Sequence, residues 1–232
     1  RRIFVKKIVL AGISIPLLNS FSFLNKKIKN KKITILHTND MHSHIDSFPN
    51  NHSRYPGLGG MRRIASLVKK IRAEEKNVIL IDAGDVFQGT PYFNKFKGSL
   101  ELKIMSSMGY IASTMGNHDF DNGINGFKDV LHNANFPFVC SNYEFSDSEM
   151  IKKIKKYLVK EINGIKVGFF GLGIELDGLV GKEYYGNTKY IDPINTSKYW
   201  SNYLKNKEKC DLVICISHLG HKYKSDKISD LK

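Results

Sequence analysis

Four short apolar segments, each ending in a cluster of acidic, amide or histidine residues, constrain the fold of this chain most strongly. Such segments have the length and composition of buried β-strands. In open parallel sheets, functional groups gather outside the carboxyl ends of the strands. The four clusters are Asp40-Met41-His42-Ser43-His44, Asp82-Ala83-Gly84-Asp85, Gly116-Asn117-His118-Asp119-Phe120-Asp121-Asn122-Gly123 and Ser217-His218. Their common position at strand ends predicts one functional site on an α/β fold.

The alternation of strand and helix patterns predicts a mainly parallel sheet covered by helices. Apolar residues have helical spacing over Leu58–Glu75, and the continuous apolar run Val78–Ile81 is typical of a strand buried on both faces. A hairpin is predicted over Tyr157–Phe170, because Asn163-Gly164 suits a type I′ turn. Similar patterns predict helices at about Ser99–Met108, Ile124–Asn133 and Ile194–Lys207, and strands at Ile33–Leu36, Ile111–Met115, Phe136–Ser141 and Leu212–Ile216.

The first 25 residues have the pattern of an export signal. Arg1-Arg2 is followed by Phe4, by lysines and by the interrupted apolar stretch Ile8–Phe23, which is too short for a comfortable transmembrane span. We therefore expect residues 1–25 to be a twin-arginine-like signal peptide, with the twin-arginine export machinery as a partner. The expected location is the periplasm or the cell surface, and an uncleaved leader that anchors the protein to a membrane is the alternative.

The formal net charge of +14 admits nucleic acid or an anionic membrane as a partner. About half of this charge lies within residues 1–29, however, and the remainder is scattered lysine. Scattered lysines are typical of solvated faces, whereas nucleic-acid binding needs a continuous basic stripe along the phosphates. Nucleic acid is therefore not expected as a partner. The densest of these later groups is Lys152, Lys153, Lys155 and Lys156.

The first two clusters carry groups that suit a metal ion. Asp40 and His42 are two residues apart, so on an extended backbone their side chains point the same way and can share one metal. Asp85 follows a glycine that permits a sharp turn, and its two carboxylate oxygens can bridge two metals. Such oxygen and nitrogen ligands suit Mn, Fe or Zn. Taken singly, each motif has a simpler explanation, a capping aspartate with a solvent-facing histidine or an ordinary tight turn.

The later clusters add groups that can handle protons. Asn117 and His118 are adjacent and project apart, so one can serve a metal through its amide oxygen while the other faces a substrate. Asp121 lies three residues after His118, near enough to accept a hydrogen bond from the ring, which fixes the tautomer and favours the protonated form. His218 offers a further nitrogen, although a lone histidine after an apolar run is usually structural. The coincidence of four clusters at strand ends favours a site.

These stretches resemble the calcineurin-like metallophosphoesterase superfamily and, within it, the catalytic N-terminal domain of the 5′-nucleotidases. The resemblance implies a β-sheet sandwich flanked by helices, with a metal site at the C-terminal ends of the strands, and it covers positions 33 to 221. We assign residues 31–232 to this catalytic domain. The matching stretches are Ile35–His44, Leu58–Arg63, Asp82–Pro91, Gly116–Gly123 and Ile216–His221.

The resemblance also implies roles for individual residues. Asp40 and His42 would bind a first divalent metal, Asp85 would bridge two, and Asn117 and His218 would bind the second. His118, paired with Asp121, would be catalytic, and Asn117 and His118 would contact the substrate. The implied cofactors are two divalent ions, Mn, Zn, Fe or Co. The implied reaction is hydrolysis of a nucleotide or related phosphoester by metal-activated hydroxide.

The family pattern continues with a Gly-x-His-x-His segment and a C-terminal substrate-binding domain that this sequence does not include. We therefore expect residues 31–232 to be an incomplete catalytic domain of a longer product, with weak metal binding and weak hydrolase activity on its own. Two alternatives are a non-catalytic family member that only binds a ligand and a thiosulfohydrolase of the same fold.

Overall fold

Five parallel strands form the first of two main sheets in the computed structural model, which describes residues 31–220. The strands are β1 (Thr34–Thr38), β2 (Val78–Asp82), β3 (Ala112–Ser113), β4 (Phe138–Val139) and β6 (Ile154–Lys155). Their order in the sheet is β1-β2-β3-β4-β6. Residues on the interior strand β2 alternate between two cores, since Leu80 packs on one face and Ile79 and Ile81 on the other.

A second sheet contains the predicted hairpin and the last strand. Its order is β10-β8-β7, in which β10 (Leu212–Ser217) runs parallel to β8 (Ile165–Leu172) and β7 (Tyr157–Ile162) runs antiparallel to it. Asn163 and Gly164 both have positive φ values, 53° and 67°, as a type I′ turn requires. A further two-stranded sheet pairs β5 (Tyr143–Glu144) with β9 (Lys189–Tyr190).

Helices cover the outer faces of the two main sheets. Most of the helices pack against one face of the first sheet, and the second sheet packs against its other face. Val139 of the first sheet shares the core between the sheets with Val167 and Phe169 of the second. The far face of the second sheet packs against α7 (Pro193–Asn206) through Leu204. The helices are α1 (Met61–Glu74), α2 (Pro91–Phe96), α3 (Ser99–Met108), α4 (Gly123–Val130), α5 (Ser148–Lys153), α6 (Lys182–Tyr185) and α7 (Pro193–Asn206).

This arrangement confirms the α/β sandwich flanked by helices and corrects the simpler expectation of one sheet. The strand patterns indicated a single mainly parallel sheet, but β10 pairs with β8 rather than with the earlier strands. The expected strands Ile111–Met115 and Phe136–Ser141 are shortened to two residues each, at β3 and β4. The helix Ser99–Met108 has the predicted bounds.

One of the later lysines is not on a solvated face. Lys156 is half-buried, and its Nζ donates hydrogen bonds to the carbonyl oxygens of Tyr143 at 2.6 Å and Ser141 at 3.3 Å. Burial lowers the pKa of this ammonium group. The expectation of a solvated cation is wrong at this position, because Lys156 satisfies backbone carbonyls that follow β4.

The expected signal peptide at residues 1–25 lies outside the described residues, as does the end of the domain from 221 to 232. Within residues 31–220, none of the helices is long and apolar enough to cross a membrane.

Candidate metal centre

The loops that follow β1 and β2 interlock through their backbones. The N–H groups of Asp40 and His42 donate to the carbonyl oxygens of Gly84 at 2.9 Å and Asp85 at 3.0 Å. Asp40, His42 and Asp85 have left-handed backbones, with φ values of 51°, 45° and 54°. This geometry is uncommon outside glycine and turns both loops sharply as they leave the sheet. The two loops therefore present their polar side chains on the same side.

Gly84 brings a third loop close to these two. Its φ is +94°, and a Cβ at this position would lie 2.6 Å from the backbone nitrogen of Gly116. Only glycine permits so close an approach. As a result, the backbone N–H of His118 donates to Asp85 Oδ1 at 2.8 Å. The loop that carries Asn117 and His118 is thereby attached to the predicted bridging carboxylate.

Asp85 lies at the centre of the side chains that converge here. Its Oδ2 is 3.2 Å from His218 Nε2 and 3.8 Å from His42 Nε2, and His42 Nε2 is also 3.8 Å from Asp40 Oδ1. Donor atoms of Asp40, Asp85 and His218 all lie within 4.8 Å of one another. Carboxylate oxygens and imidazole nitrogens at this spacing fit a divalent cation such as Mn, Fe or Zn.

His218 reaches this centre from the second sheet. The carboxyl end of β10 delivers it, and its backbone N–H donates to Leu172 O at 2.8 Å. Its ring Nδ1 lies 2.7 Å from Ala83 O, which orients Nε2 toward Asp85. Histidines that bind metals are commonly oriented by such a contact on their other ring nitrogen. The fourth cluster therefore meets the other three from a different sheet, which strand patterns alone did not indicate.

His118 and Asp121 lie beside the converging carboxylates. His118 Nδ1 is 2.9 Å from Asp121 Oδ2, the contact expected from their spacing. His118 begins a short 3-10 turn, His118–Phe120, and Asp121 is the residue that follows it. The His118 ring packs edge-on against that of His42, with centroids 5.1 Å apart. Because Nδ1 is engaged by Asp121, Nε2 is the ring nitrogen left to face a bound molecule. Asn117 precedes this turn and is half-buried.

The proximity of Asp85 and His218 shifts the pKa values of both side chains. Burial alone would raise the pKa of Asp85, but the hydrogen bond and charge of His218 lower it. Burial likewise opposes the charged form of His218, yet its hydrogen bond and attraction to Asp85 raise its pKa to about 9. The two shifts describe one interaction. In the metal-free protein, His218 is thus held as an imidazolium beside a carboxylate, and a metal ion would replace its proton.

This ion pair gives the metal-free protein a pH-dependent stability. The pKa of His218 rises from 6.5 to about 9 on folding, so its contribution is complete below about pH 6.5 and is lost as the pH rises through 9. We expect the free energy of unfolding by urea, measured with a chelator present, to fall more steeply over this interval for the unaltered chain than for His218→Gln. Equal slopes for the two proteins would contradict the pairing.

Two buried aspartates, Asp82 and Asp119, hold the loops and strand ends together through hydrogen bonds. The sequence patterns assigned neither of them a role. Asp82 is fully buried and accepts hydrogen bonds from Thr38 Oγ1 at 2.6 Å and Ser113 Oγ at 3.0 Å. Burial raises its pKa to about 6. Asp119 accepts hydrogen bonds from the backbone N–H groups of four residues on two loops. They are Asp85 at 3.2 Å, Val86 at 3.1 Å, Phe87 at 3.4 Å and Gly116 at 2.8 Å.

Asp119 therefore joins the Asp85 loop to the loop that carries His118. Burial, reinforced by the charge of Asp85, raises the pKa of Asp119 to about 7, against the hydrogen bond from Gly116. Its position inside the third cluster did not reveal this role, because the four backbone donors come together only in the folded loops.

Replacing Asp119 by asparagine should destabilise the fold strongly. The amide cannot accept on both sides, so buried N–H groups lose their partner, and we expect a loss of about 2–4 kcal/mol in the free energy of unfolding. Urea denaturation measures this loss. The matched control is Asp129→Asn, an exposed acid on α4, for which a change within about 0.5 kcal/mol is expected. A similar small change for both variants would show that Asp119 does not support the loops.

Known proteins resemble this chain over the region that contains the four clusters. The calcineurin-like phosphoesterase family model matches residues 33–231. The snake venom 5′-nucleotidase of Crotalus adamanteus is 38% identical over 147 residues, which cover 60% of this chain and 25% of the relative. The 5′-nucleotidase of Vibrio cholerae is 33% identical over 195 residues, covering 83% and 34%. The chain therefore spans about a quarter to a third of the length of these curated relatives.

The fold is shared with solved structures as well. The crystal structure of a 5′-nucleotidase precursor from Thermus thermophilus aligns with a TM-score of 0.72 and 30% sequence identity. The alignment covers 81% of this chain and 37% of that one.

Proposed function

The chain belongs to the calcineurin-like phosphoesterase family, and we propose that it hydrolyses a nucleotide or related phosphoester with two divalent metal ions bound at the carboxyl edge of its strands. The convergence of Asp40, Asp85 and His218, with donor atoms within 4.8 Å of one another, supports metal binding at this edge, and the second ion rests on the family resemblance. His118 and Asp121 add an oriented proton donor beside them.

The proposed ligands divide between two ions. Asp40 and His42 would hold one, Asn117 and His218 the other, and Asp85 would contact both. Divalent ions at these positions would neutralise phosphoryl oxygens and supply a nucleophile at neutral pH. The donor set of carboxylate, imidazole and amide groups does not discriminate among Mn, Fe, Zn and Co.

His118 is the proposed proton donor. Asp121 holds Nδ1, so the ring presents Nε2 toward a phosphoester bound over the carboxylates. In the protonated form, Nε2–H can donate to the leaving oxygen or stabilise the charge that develops on it. Asn117 and His118 are the proposed contacts to the substrate. A cavity of about 660 Å³ adjoins the metal-ligand candidates Asp40 and His218.

The substrate class rests on the relatives, whose names describe 5′-nucleotidases. We infer a 5′-mononucleotide such as AMP as the first substrate to test. The paired arginines and apolar stretch at the N-terminus support a second proposal, export through the twin-arginine machinery to the periplasm or cell surface.

Product release from a substrate panel tests the proposed activity. The chain, supplied with Mn²⁺, is assayed for phosphate from 5′-AMP and 3′-AMP, for nucleoside monophosphate from a 2′,3′-cyclic nucleotide, for p-nitrophenolate from bis-p-nitrophenyl phosphate and for sulfate from thiosulfate-modified cysteine. We expect Mn²⁺-dependent turnover with 5′-AMP preferred over 3′-AMP. Turnover of the thiosulfate compound alone would favour the thiosulfohydrolase alternative. Binding of 5′-AMP without turnover would favour the non-catalytic one.

A further inference from the structure

Glu101 is a fully buried acid on α3 that the proposed reaction does not use. Its relative exposure is 0%, and its Oε1 accepts a hydrogen bond from Ser43 Oγ at 2.5 Å. Within residues 31–220, Oε2 has no hydrogen-bond partner. Burying a carboxyl group with half of its hydrogen-bonding capacity unused costs free energy. An apolar residue would pack here without that cost, so an acid at this position calls for a function.

The partner of Glu101 is the residue that ends the first ligand loop. Ser43 follows His42 directly and is also fully buried. Its backbone N–H donates to Val86 O at 2.8 Å, one residue beyond Asp85. Thr90 Oγ1 lies 2.8 Å from Ser43 O and 3.0 Å from Ser43 Oγ, so it can donate to either. Ser43 therefore ties together the loops that carry Asp40, His42 and Asp85.

The backbone of this loop requires such a restraint. Asp40, His42 and Ser43 have φ values of 51°, 45° and 56°, all in the left-handed region. Non-glycine residues adopt this region at an energetic cost, and they keep it only where surrounding contacts hold them there. The buried side chain of Ser43 lies at the end of this left-handed segment. Its hydroxyl is oriented by hydrogen bonds with Glu101 and Thr90.

We propose that Glu101 is a positioning residue for the metal centre. Through its hydrogen bond to Ser43 it fixes the left-handed turn at residues 40–43, and so it sets where the His42 ring meets Asp85. This inference rests on the proposed metal-dependent function. It assigns to Glu101 an effect on metal affinity that is transmitted only through Ser43, because Ser43 is the residue of the ligand loop that it contacts.

A double-mutant cycle on metal affinity tests the proposal. The affinity of the metal-free chain for Mn²⁺ is measured from the electron paramagnetic resonance signal of free Mn²⁺ for the unaltered chain, Glu101→Leu, Ser43→Ala and the double variant. We expect each single variant to lose about 10–100-fold in affinity, as for other groups that orient ligands. The double variant should lose no more than the larger single effect, because the two residues act as one unit.

Two further variants separate positioning from general destabilisation. Glu101→Gln keeps an acceptor oxygen for Ser43 and should retain Mn²⁺ affinity close to that of the unaltered chain. Met105→Ala removes a fully buried side chain one turn further along α3, and it should lower the melting temperature without lowering Mn²⁺ affinity.

The outcomes distinguish this inference from the proposed function. If the unaltered chain binds Mn²⁺ but Glu101→Leu and Ser43→Ala bind it equally well, the positioning role is wrong while the metal centre stands. Additive losses in the double variant, or a loss in Met105→Ala as large as in Glu101→Leu, would also overturn the role. If the unaltered chain binds no Mn²⁺, both the inference and the proposed function fail.

Discussion

His118→Ala should lower kcat for phosphoester hydrolysis by about 10²–10⁴-fold, the loss typical of removing a positioned proton donor. Metal affinity should change little, because the contact between this residue and Asp85 is a backbone N–H donation at 2.8 Å, which alanine keeps. The ring makes an edge contact to His42 and a hydrogen bond to Asp121, and its charge helps to lower the pKa of Asp85. Its removal should therefore take away the proposed proton donor and leave the carboxylates in place.

Steady-state kinetics with 5′-AMP and a Mn²⁺ titration on the same preparation measure both quantities. The matched control is His132→Ala, an exposed histidine at the end of α4 whose Nδ1 contacts the carbonyl of Asp129 at 2.7 Å. This control should retain full kcat. An unchanged kcat in His118→Ala would show that the His118 ring has no part in the reaction. A loss of Mn²⁺ affinity parallel to the loss of kcat would show that His118 is a metal ligand instead.

Asp85→Asn should abolish metal binding and, with it, hydrolysis. The side chain of Asp85 is 5% exposed, lies 3.2 Å from His218 and 3.8 Å from His42, and is the proposed contact to both metal ions. Asparagine keeps the shape but loses the charge. Groups that merely orient a ligand are worth about 10–100-fold in metal affinity, so the loss of this central ligand should exceed roughly 100-fold.

Isothermal titration with Mn²⁺ measures the loss, and Asp46→Asn is the control. Asp46 is an exposed acid on the loop beyond His44, and it accepts a hydrogen bond from Tyr92 at 2.6 Å. It should bind Mn²⁺ like the unaltered chain. If Asp85→Asn bound Mn²⁺ with unchanged affinity, the metal centre would have to lie elsewhere in the protein.

Local patterns predicted the elements whose stability is local. The helix at Ser99–Met108 combines helical spacing with glycines on both sides, and Asn163-Gly164 determines its hairpin through backbone geometry alone. Both predictions were confirmed. The division into two sheets depends instead on β10 pairing with β8 across more than forty residues, and no residue near β10 specifies that choice. The resemblance to a sandwich fold carried that part of the prediction.

The candidate site shows the same division between what the sequence reveals and what folding adds. Side chains with ligand chemistry, such as Asp40, Asp85 and His218, are recognisable because they stand at strand ends. Supporting groups are harder to find, because the role of Asp119 depends on four backbone donors that only the folded loops bring together. Glu101 did leave a signal, since it shares the buried face of α3 with Met105 and Met108, where an acid is unusual.

We propose that phosphoester hydrolysis depends on metal held at Asp85 and its neighbours. The most direct measurement titrates the metal-free chain with Mn²⁺ and follows bound Mn²⁺ and phosphate release from 5′-AMP in the same samples. We expect phosphate release to rise in proportion to metal occupancy, to stop when a chelator is added and to be absent in Asp85→Asn. Phosphate release that persists without bound metal, or that survives in Asp85→Asn, would contradict it.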